Sequence, residues 1–572
     1  MKKALSIILA LVMLLTLVGC GNSGTPAETP NAPVENNTPN NEATPAEPQA
    51  SAAQYYNTYM TADPTSMDIS RISDSYSSGI VNNVMESLVR MGEVDGNYVI
   101  IAGDAQTWES NAEGTVWTFH LGDNTWSDGK PVTAQDYVYS LRRSADPATG
   151  CPNEYFLLPV AGYNEVRDGA SLDTLGVKAI DEKTLEVTLS YPVPSFLEMC
   201  CGTVYYPQRQ DIVEQYGEQY GSEPQYTLYN GPYTLESWVH NSSITLKKRE
   251  GYWNADAVQI ENVTVNILGD SSTAYTMYEA GQLDYVGTSA AEWVQKFLAR
   301  EDTDYVKTYS ANVNYAFYNT KDALFQNANI RRAFNMAVDR ADLNEVTFGG
   351  RSNPATGWVT GAMAVGSTNY REYAGDMIQA MYDDATANNM TAKDYLLKGM
   401  EELGLGNDPK TLDITFSLAG TDEWFRTYGE YLQQTYNTAL GIDLKISFSE
   451  WGIFSSNLNT GNYQIGYMGW GAYYNDPYDV LSLFMTENDS ISTGWSNAEF
   501  DKLVLAAQSE MDEAKRLELY KQAEEILLLE EYVVNPILFP SSNSFYKNYV
   551  QGYVTLAFSS GGYQGMTTGG RP

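Results

Sequence analysis

Three stretches of the chain alternate apolar and polar residues with the two-residue period of a half-buried strand. They are KTLEVTLS (183–190), SITLKKRE (243–250) and VQIENVTVNIL (258–268). Three others carry the spacing of helices: TAQDYVYSLRRSA (133–145), NANIRRAFNMAVDRADLNEV (327–346) and NAEFDKLVLAAQSEMDEAKRLELYKQAEEILLLE (497–530). In the last, Phe500, Leu503, Val504 and Ala507, then Leu517, Tyr520, Ala523, Ile526 and Leu527, draw an apolar stripe. Thr133 with Asp136 makes a capping-box start, with Asp where Glu or Gln is usual. Strands and helices are interspersed and no fixed-period repeat is visible, so the pattern predicts α/β layers rather than segregated domains.

The first residues change the picture by fixing a compartment. Lys2 and Lys3 precede an apolar run from Ala4 through Val18, followed by Gly19 and Cys20. That is an export signal, and the run falls short of the roughly 20 apolar residues needed to span a bilayer. Leu17-Val18-Gly19-Cys20 resembles a bacterial lipobox, which implies a signal peptide over 1–20 and lipidation of Cys20. Residues 21–53 hold six prolines, four glutamates, no Lys or Arg and no aromatic. Such a segment buries too little to offset chain entropy and reads as a disordered tether. The expected location is extracytoplasmic, lipid-anchored to the outer face of the cytoplasmic membrane.

The rest, about 520 residues, exceeds a single core and predicts two or three domains. Asp and Glu number 72 against 34 Lys and Arg, for a formal net charge of −38. That argues against nucleic acid as a partner, since affinity there comes from basic residues neutralising phosphates. Beyond Cys20 there are Cys151, Cys200 and Cys201, with no spacing that suggests zinc; they read as structural thiols with room for one disulfide. Catalytic motifs are absent: neither His120 nor His240 lies in an H-E-x-x-H pattern, and there is no G-x-S-x-G or phosphate-binding loop. His120 falls on the polar face of a strand whose other face is Trp117, Phe119 and Leu121. No cofactor or metal is expected.

Longer segments carry a resemblance. WTFHLGDNTWSDGKPVTAQDYVYSLRRSADPATG (117–150), LGVKAIDEKTLEVTLSYPVPSFLE (175–198) and YNGPYTLESWVHNSSITLKKREGYWNADAVQIENVTVNIL (229–268) are followed by YEAGQLDYV (278–286). FQNANIRRAFNMAVDRADL (325–343), GWGAYYNDP (469–477) and GWSNAEFDKLV (494–504) complete the set. Together they resemble the extracellular solute-binding proteins of the oligopeptide/dipeptide/nickel ABC importer family, and among these the oligopeptide binders. The resemblance implies an α/β, bilobal, periplasmic-binding-protein-like (type II) fold with a hinge. It implies a first lobe from residues 54–85, 209–310 and 541–572, an additional domain at 86–208, and a second lobe at 311–540. It also implies a monomer that hands its ligand to permease and ATPase subunits.

Residue by residue, the resemblance places Trp451 on the cleft wall and Gly469 with Trp470 at the cleft base. Asn153 and Tyr155 lie where the additional domain contributes a tyrosine, and Ser73 and Asp74 lie in the first-lobe segment that pairs with a peptide backbone. One position departs from the pattern. Where family peptide binders read Trp-x-Ala-Asp-Tyr and the Asp meets the ligand's α-ammonium, this chain has Tyr473. A phenol is neutral below about pH 10 and cannot balance that charge. Leu458 and Tyr467 stand where basic residues receive a short peptide's carboxylate, and Asp476 replaces the missing acid only if its loop shifts. Three readings stay open: a receptor for oligopeptides held through backbone bonds and an aromatic wall, a same-fold receptor for a neutral ligand such as an oligosaccharide, and a secreted hydrolase using two of the many acids.

Overall fold

The structure, a computed structural model, describes residues 54–94, 97–488, 490–554, 557–558 and 562–572. The signal peptide, Cys20 and the tether 21–53 lie outside the described residues.

The alternating segments form strands. Ile260–Ile267 turns Val263 and Val265 inward, pairs in parallel with Gln54–Met60 (Tyr56 opposite Val263) and antiparallel with Ser243–Lys248 (Val263 opposite Leu246). Tyr233–Val239 completes a four-stranded sheet. A second sheet of the same lobe orders Tyr285–Gly287, Ser541–Lys547 and Thr303–Tyr309. The other lobe is built on six strands in the order Asn353–Pro354, Val534–Phe539, Asn312–Tyr318, Ile465–Gly471, Thr415–Leu418 and Lys445–Phe448. The architecture is thus α/β and bilobal.

Two strands of the first lobe run on into two strands of the second, through Ser310-Ala311 and through Pro540. These crossings touch: the Ser310 N–H donates to the Pro540 carbonyl at 3.1 Å. Few backbone torsions therefore separate the lobes, as in hinge-closing proteins.

Between the strands Gln54–Met60 and Tyr233–Val239 the chain inserts a layer, an antiparallel sheet of Ala105–Ser110, Val116–Leu121, Thr184–Thr188 and Val177–Ala179, covered by the helix Ala134–Ala145. Its interior residues Trp117, Phe119 and Phe196 belong to one apolar cluster with Tyr56, Tyr233 and Val263 of the first lobe. The layer is an outgrowth of that lobe's core. The Asp136 carboxylate accepts from the Thr133 N–H at 2.9 Å, so the helix starts where its cap directs.

Two long helical runs are interrupted. Residues 327–346 form Ala328–Met336 and Arg340–Phe348, and the second begins where the Asp339 carboxylate accepts from Ala341 and Asp342 N–H at 3.0 Å each. Residues 497–530 form Ala498–Ser509 and Glu513–Glu525, with Asp512 capping the second, then a π-helical turn Ile526–Glu530. In each case an acid strong at helix starts outweighs a continuous apolar stripe. Cys151, Cys200 and Cys201 are free thiols, so the room left for a disulfide is not used among the described residues. Nor is any described helix long and apolar enough to cross a membrane.

Candidate functional site: an aromatic joint between the lobes

The strand Ile465–Gly471 reaches the hinge at its C-terminal end. Gly471 lies opposite Asn312, and a Cβ there would fall 2.3 Å from Asn312 Oδ1, so a side chain at 471 would have to displace the Asn312 amide. The Ala472 N–H then donates to the Ala311 carbonyl at 2.9 Å, which ties the following residues to the crossing strand itself. Tyr473 N–H donates to Asp479 Oδ2 at 2.7 Å. Asn475 Oδ1 accepts from Ala364 N–H at 2.8 Å. Held at three points, the loop turns the Tyr473 ring outward, 60 % exposed, and the Tyr474 ring inward against the core of the inserted layer.

The inserted layer supplies the opposite wall. Asn153 Nδ2 donates to the Ile72 carbonyl at 3.0 Å, which holds the short turn that follows beside Ser73. From that turn Tyr155, 41 % exposed, meets Tyr473 edge to face with ring centres 5.8 Å apart. Phe156 meets Tyr474 in the same way at 6.1 Å, and Trp470 stands perpendicular to Tyr473 at 6.4 Å. Asn153, Tyr155, Trp470 and Tyr473, far apart in sequence, are therefore neighbours. The Trp470 indole N–H is buried and makes no hydrogen bond among the described residues.

The other candidate residues stand apart from this joint. Trp451 is 60 % exposed at the start of its helix, with its ring on Phe454. Gly469 is exposed opposite Asn314. Ser73 is exposed, whereas Asp74 caps the helix Ser75–Val84, accepting from Ser77 N–H at 2.8 Å and Thr65 Oγ1 at 2.7 Å. Against the cost of partial burial, those bonds hold its carboxyl below the usual range. Asp476 is 2 % exposed; its carboxylate accepts from Tyr478 N–H at 2.8 Å and Tyr520 OH at 2.6 Å. It is committed as the cap of the helix Pro477–Leu481 and is not turned toward the rings. Leu458 and Tyr467 are buried in the apolar cores of the second lobe.

Behind the ring pair lies a cavity of about 450 Å³ between the inserted layer and the second lobe, walled by Tyr155, Phe156, Tyr191, Tyr474 and Tyr478. Asp479 lines it, and the sequence reading missed this residue. Burial without a counter-ion pushes its carboxyl up to about 7. An acid inside the apolar turn PYDVL was the available signal. A larger, polar concavity of about 1200 Å³ lies at the opposite end of the Ile465–Gly471 strand, lined by residues such as Asn319, Ser417, Ser447 and Gln464. It belongs to the second lobe alone and holds none of the rings. Among the described residues no group of three or more His, Cys, Asp or Glu is placed to hold a metal.

Comparison with known proteins bears on family and fold. The family model described as bacterial extracellular solute-binding proteins, family 5 Middle, matches residues 100–492. The chain is 31 % identical over 545 residues to the oligopeptide-binding protein OppA of Bacillus subtilis, covering 94 % of each. It is 31 % identical to the dipeptide-binding protein DppE of the same organism, covering 86 % of this chain and 88 % of that one. Among solved structures, the unliganded open form of the periplasmic murein tripeptide binding protein MppA superposes with a TM-score of 0.75 at 25 % identity, over 90 % of this chain and 97 % of that one. OppA of Listeria monocytogenes bound to peptide gives 0.69 at 27 % identity, over 90 % and 99 %.

Proposed function

The chain belongs to family 5 of the bacterial extracellular solute-binding proteins, and from that premise we propose that it is the receptor subunit of a peptide importer. It captures oligopeptides between its lobes and delivers them to a membrane permease driven by ATPase subunits. The observation that carries this reading is the exposed Tyr155–Tyr473 pair, one ring from the inserted layer and one from the second lobe. Rings on both walls hold a peptide of varied sequence by contact, while backbone bonds fix its direction. Binding needs no chemistry on the ligand, so the chain acts as a carrier and not as an enzyme. Acylation of Cys20 and the tether 21–53 keep it on the outer face of the cytoplasmic membrane as a monomer.

Thermal unfolding with an oligopeptide pool, followed by native mass spectrometry of the purified protein, tests the reading. A raised melting temperature and a co-purified peptide are expected. No shift with peptides, together with a shift on cello- or xylo-oligosaccharides, moves the assignment to a neutral ligand, for which a phenol at position 473 is equally suited.

A further inference from the structure

Tyr473 removes the acid from the place where the family pattern has one, yet a carboxylate lies directly behind it. Asp479 Oδ2 is 2.7 Å from the Tyr473 backbone nitrogen, and the side chain is only 9 % exposed. Its hydrogen bonds come from the backbone of the Tyr473-Tyr474 loop, and among the described residues no Lys, Arg or His reaches it as an ion partner. A carboxylate offers about four acceptor sites, so capacity remains on the side that faces the cavity. A buried anion left in this state is expensive, and a cation supplied by a ligand would relieve it.

The cavity has the chemistry to supply that relief. Its described lining includes Asp479 and Glu487 but no Lys or Arg. Its walls are the faces and edges of Tyr155, Phe156, Tyr191, Tyr474 and Tyr478, the surroundings that favour an ammonium group. About 450 Å³ falls within the range of small-ligand pockets. Tyr155 both lines the cavity and touches Tyr473, so the cavity borders the ring pair.

We propose that this cavity seats the amino-terminal residue of a bound peptide, with the Asp479 carboxylate as counter-charge to its α-ammonium. The inference rests on the peptide reading above and deepens it: recognition of the amino end is kept, but moved one loop further in. The acid that would have projected from position 473 is replaced by one held beneath that residue's own backbone. Closure then buries an ion pair instead of a lone anion.

The test uses the full chain and a lysine-free, arginine-free heptapeptide library in two forms, with free and with acetylated amino ends. Competition binding should favour the free library by about tenfold, the scale of one charge-assisted hydrogen bond. Asp479→Asn should abolish that preference, and a cooperative unfolding transition of the variant without peptide reports that it is folded. Equal binding of both libraries by the unaltered protein overturns the inference and leaves the peptide reading standing. A third library, acetylated and carrying one lysine, separates the sources of ammonium: rescue of binding by the lysine, lost in Asp479→Asn, overturns the assignment to the amino end. Failure of every library to bind overturns both readings.

Discussion

The inserted layer touches the rest of the molecule through two joints of opposite character. Against the first lobe the contact is a buried, hydrogen-bonded polar network. Arg249 donates from Nε to the Gly231 carbonyl at 2.8 Å, and from Nη2 to Asn124 Oδ1 at 3.0 Å and the Asn230 carbonyl at 2.6 Å. Asp104 accepts from Asn124, Tyr137 and Asn230 at 2.6 to 2.8 Å, and Glu86 accepts from Arg90 and Tyr252. Against the second lobe the contact is rings edge to face, with charges left over. Arg516 keeps Nε and Nη1 buried without a hydrogen bond among the described residues, its nearest acid oxygen being Asp476 Oδ2 at 3.9 Å. Burial pushes Glu198 and Asp479 up to about 7. The two joints therefore differ in how closely their polar groups are matched, and a well-matched network resists rearrangement more than a ring contact does.

The sharpest way to break this contrast is Arg249→Met, which takes the donor from the buried Gly231 carbonyl and one of two donors from Asn124 Oδ1 and from the Asn230 carbonyl. It should lower stability by about 1–3 kcal/mol in urea unfolding. A loss no greater than that of an average surface substitution would show that the network does not hold the joint.

Next comes the dependence on pH. Desolvation, then the neighbouring Glu86, raises Asp104 to about 7, and Asp479 stands at the same value. Both are raised above their unfolded values near 4, so the native state holds more protons between those limits. Their contribution is full below about pH 4 and is lost as pH rises through about 7. Stability should therefore fall from pH 5 to pH 8, and Asp479→Asn should flatten only part of that slope. A profile that rises across this window contradicts the assignment.

A smaller effect is expected from Tyr155→Ala, which removes one ring of the bridging pair. Peptide affinity should drop by about tenfold, the worth of an aromatic contact plus lost burial, with little change in melting temperature. Smallest is Arg516→Met, about 1 kcal/mol or less in either direction, because the apolar side chain removes two unpaired buried N–H groups along with the charge. A loss as large as that of Arg249→Met would erase the difference between the joints.

How much of this was legible in the sequence depends on the range of the interaction involved. The strands at 184–188, 243–248 and 260–267 follow from alternation alone, because one face of each packs on a core. Helix breaks at Asp339 and Asp512 were masked because the apolar stripe runs on through both caps. At the site, Tyr155, Trp470 and Tyr473 were named from resemblance, and the fold makes them neighbours. The commitment of Asp476 was partly readable, since Asp before Pro is a good helix start. For Asp479 the acid inside the apolar PYDVL was the one local signal; its isolation is created by Tyr155, Phe156 and Tyr191, some 300 residues earlier in the chain, and local pattern carries no trace of a wall that arrives from another layer.

The bond from Ala472 N–H to the Ala311 carbonyl has a mechanical meaning. Ala311 sits on a connection that crosses between the lobes, and a single peptide link separates Ala472 from Tyr473. The phenol is thus a pointer fixed to the spindle, not a passenger on a distant rim. Any rotation of the crossing strands swings the ring against Tyr155, and any guest that pushes the ring applies torque at the pivot. An environment-sensitive dye at position 473 would read lobe angle directly, which turns the receptor into a gauge of its own occupancy.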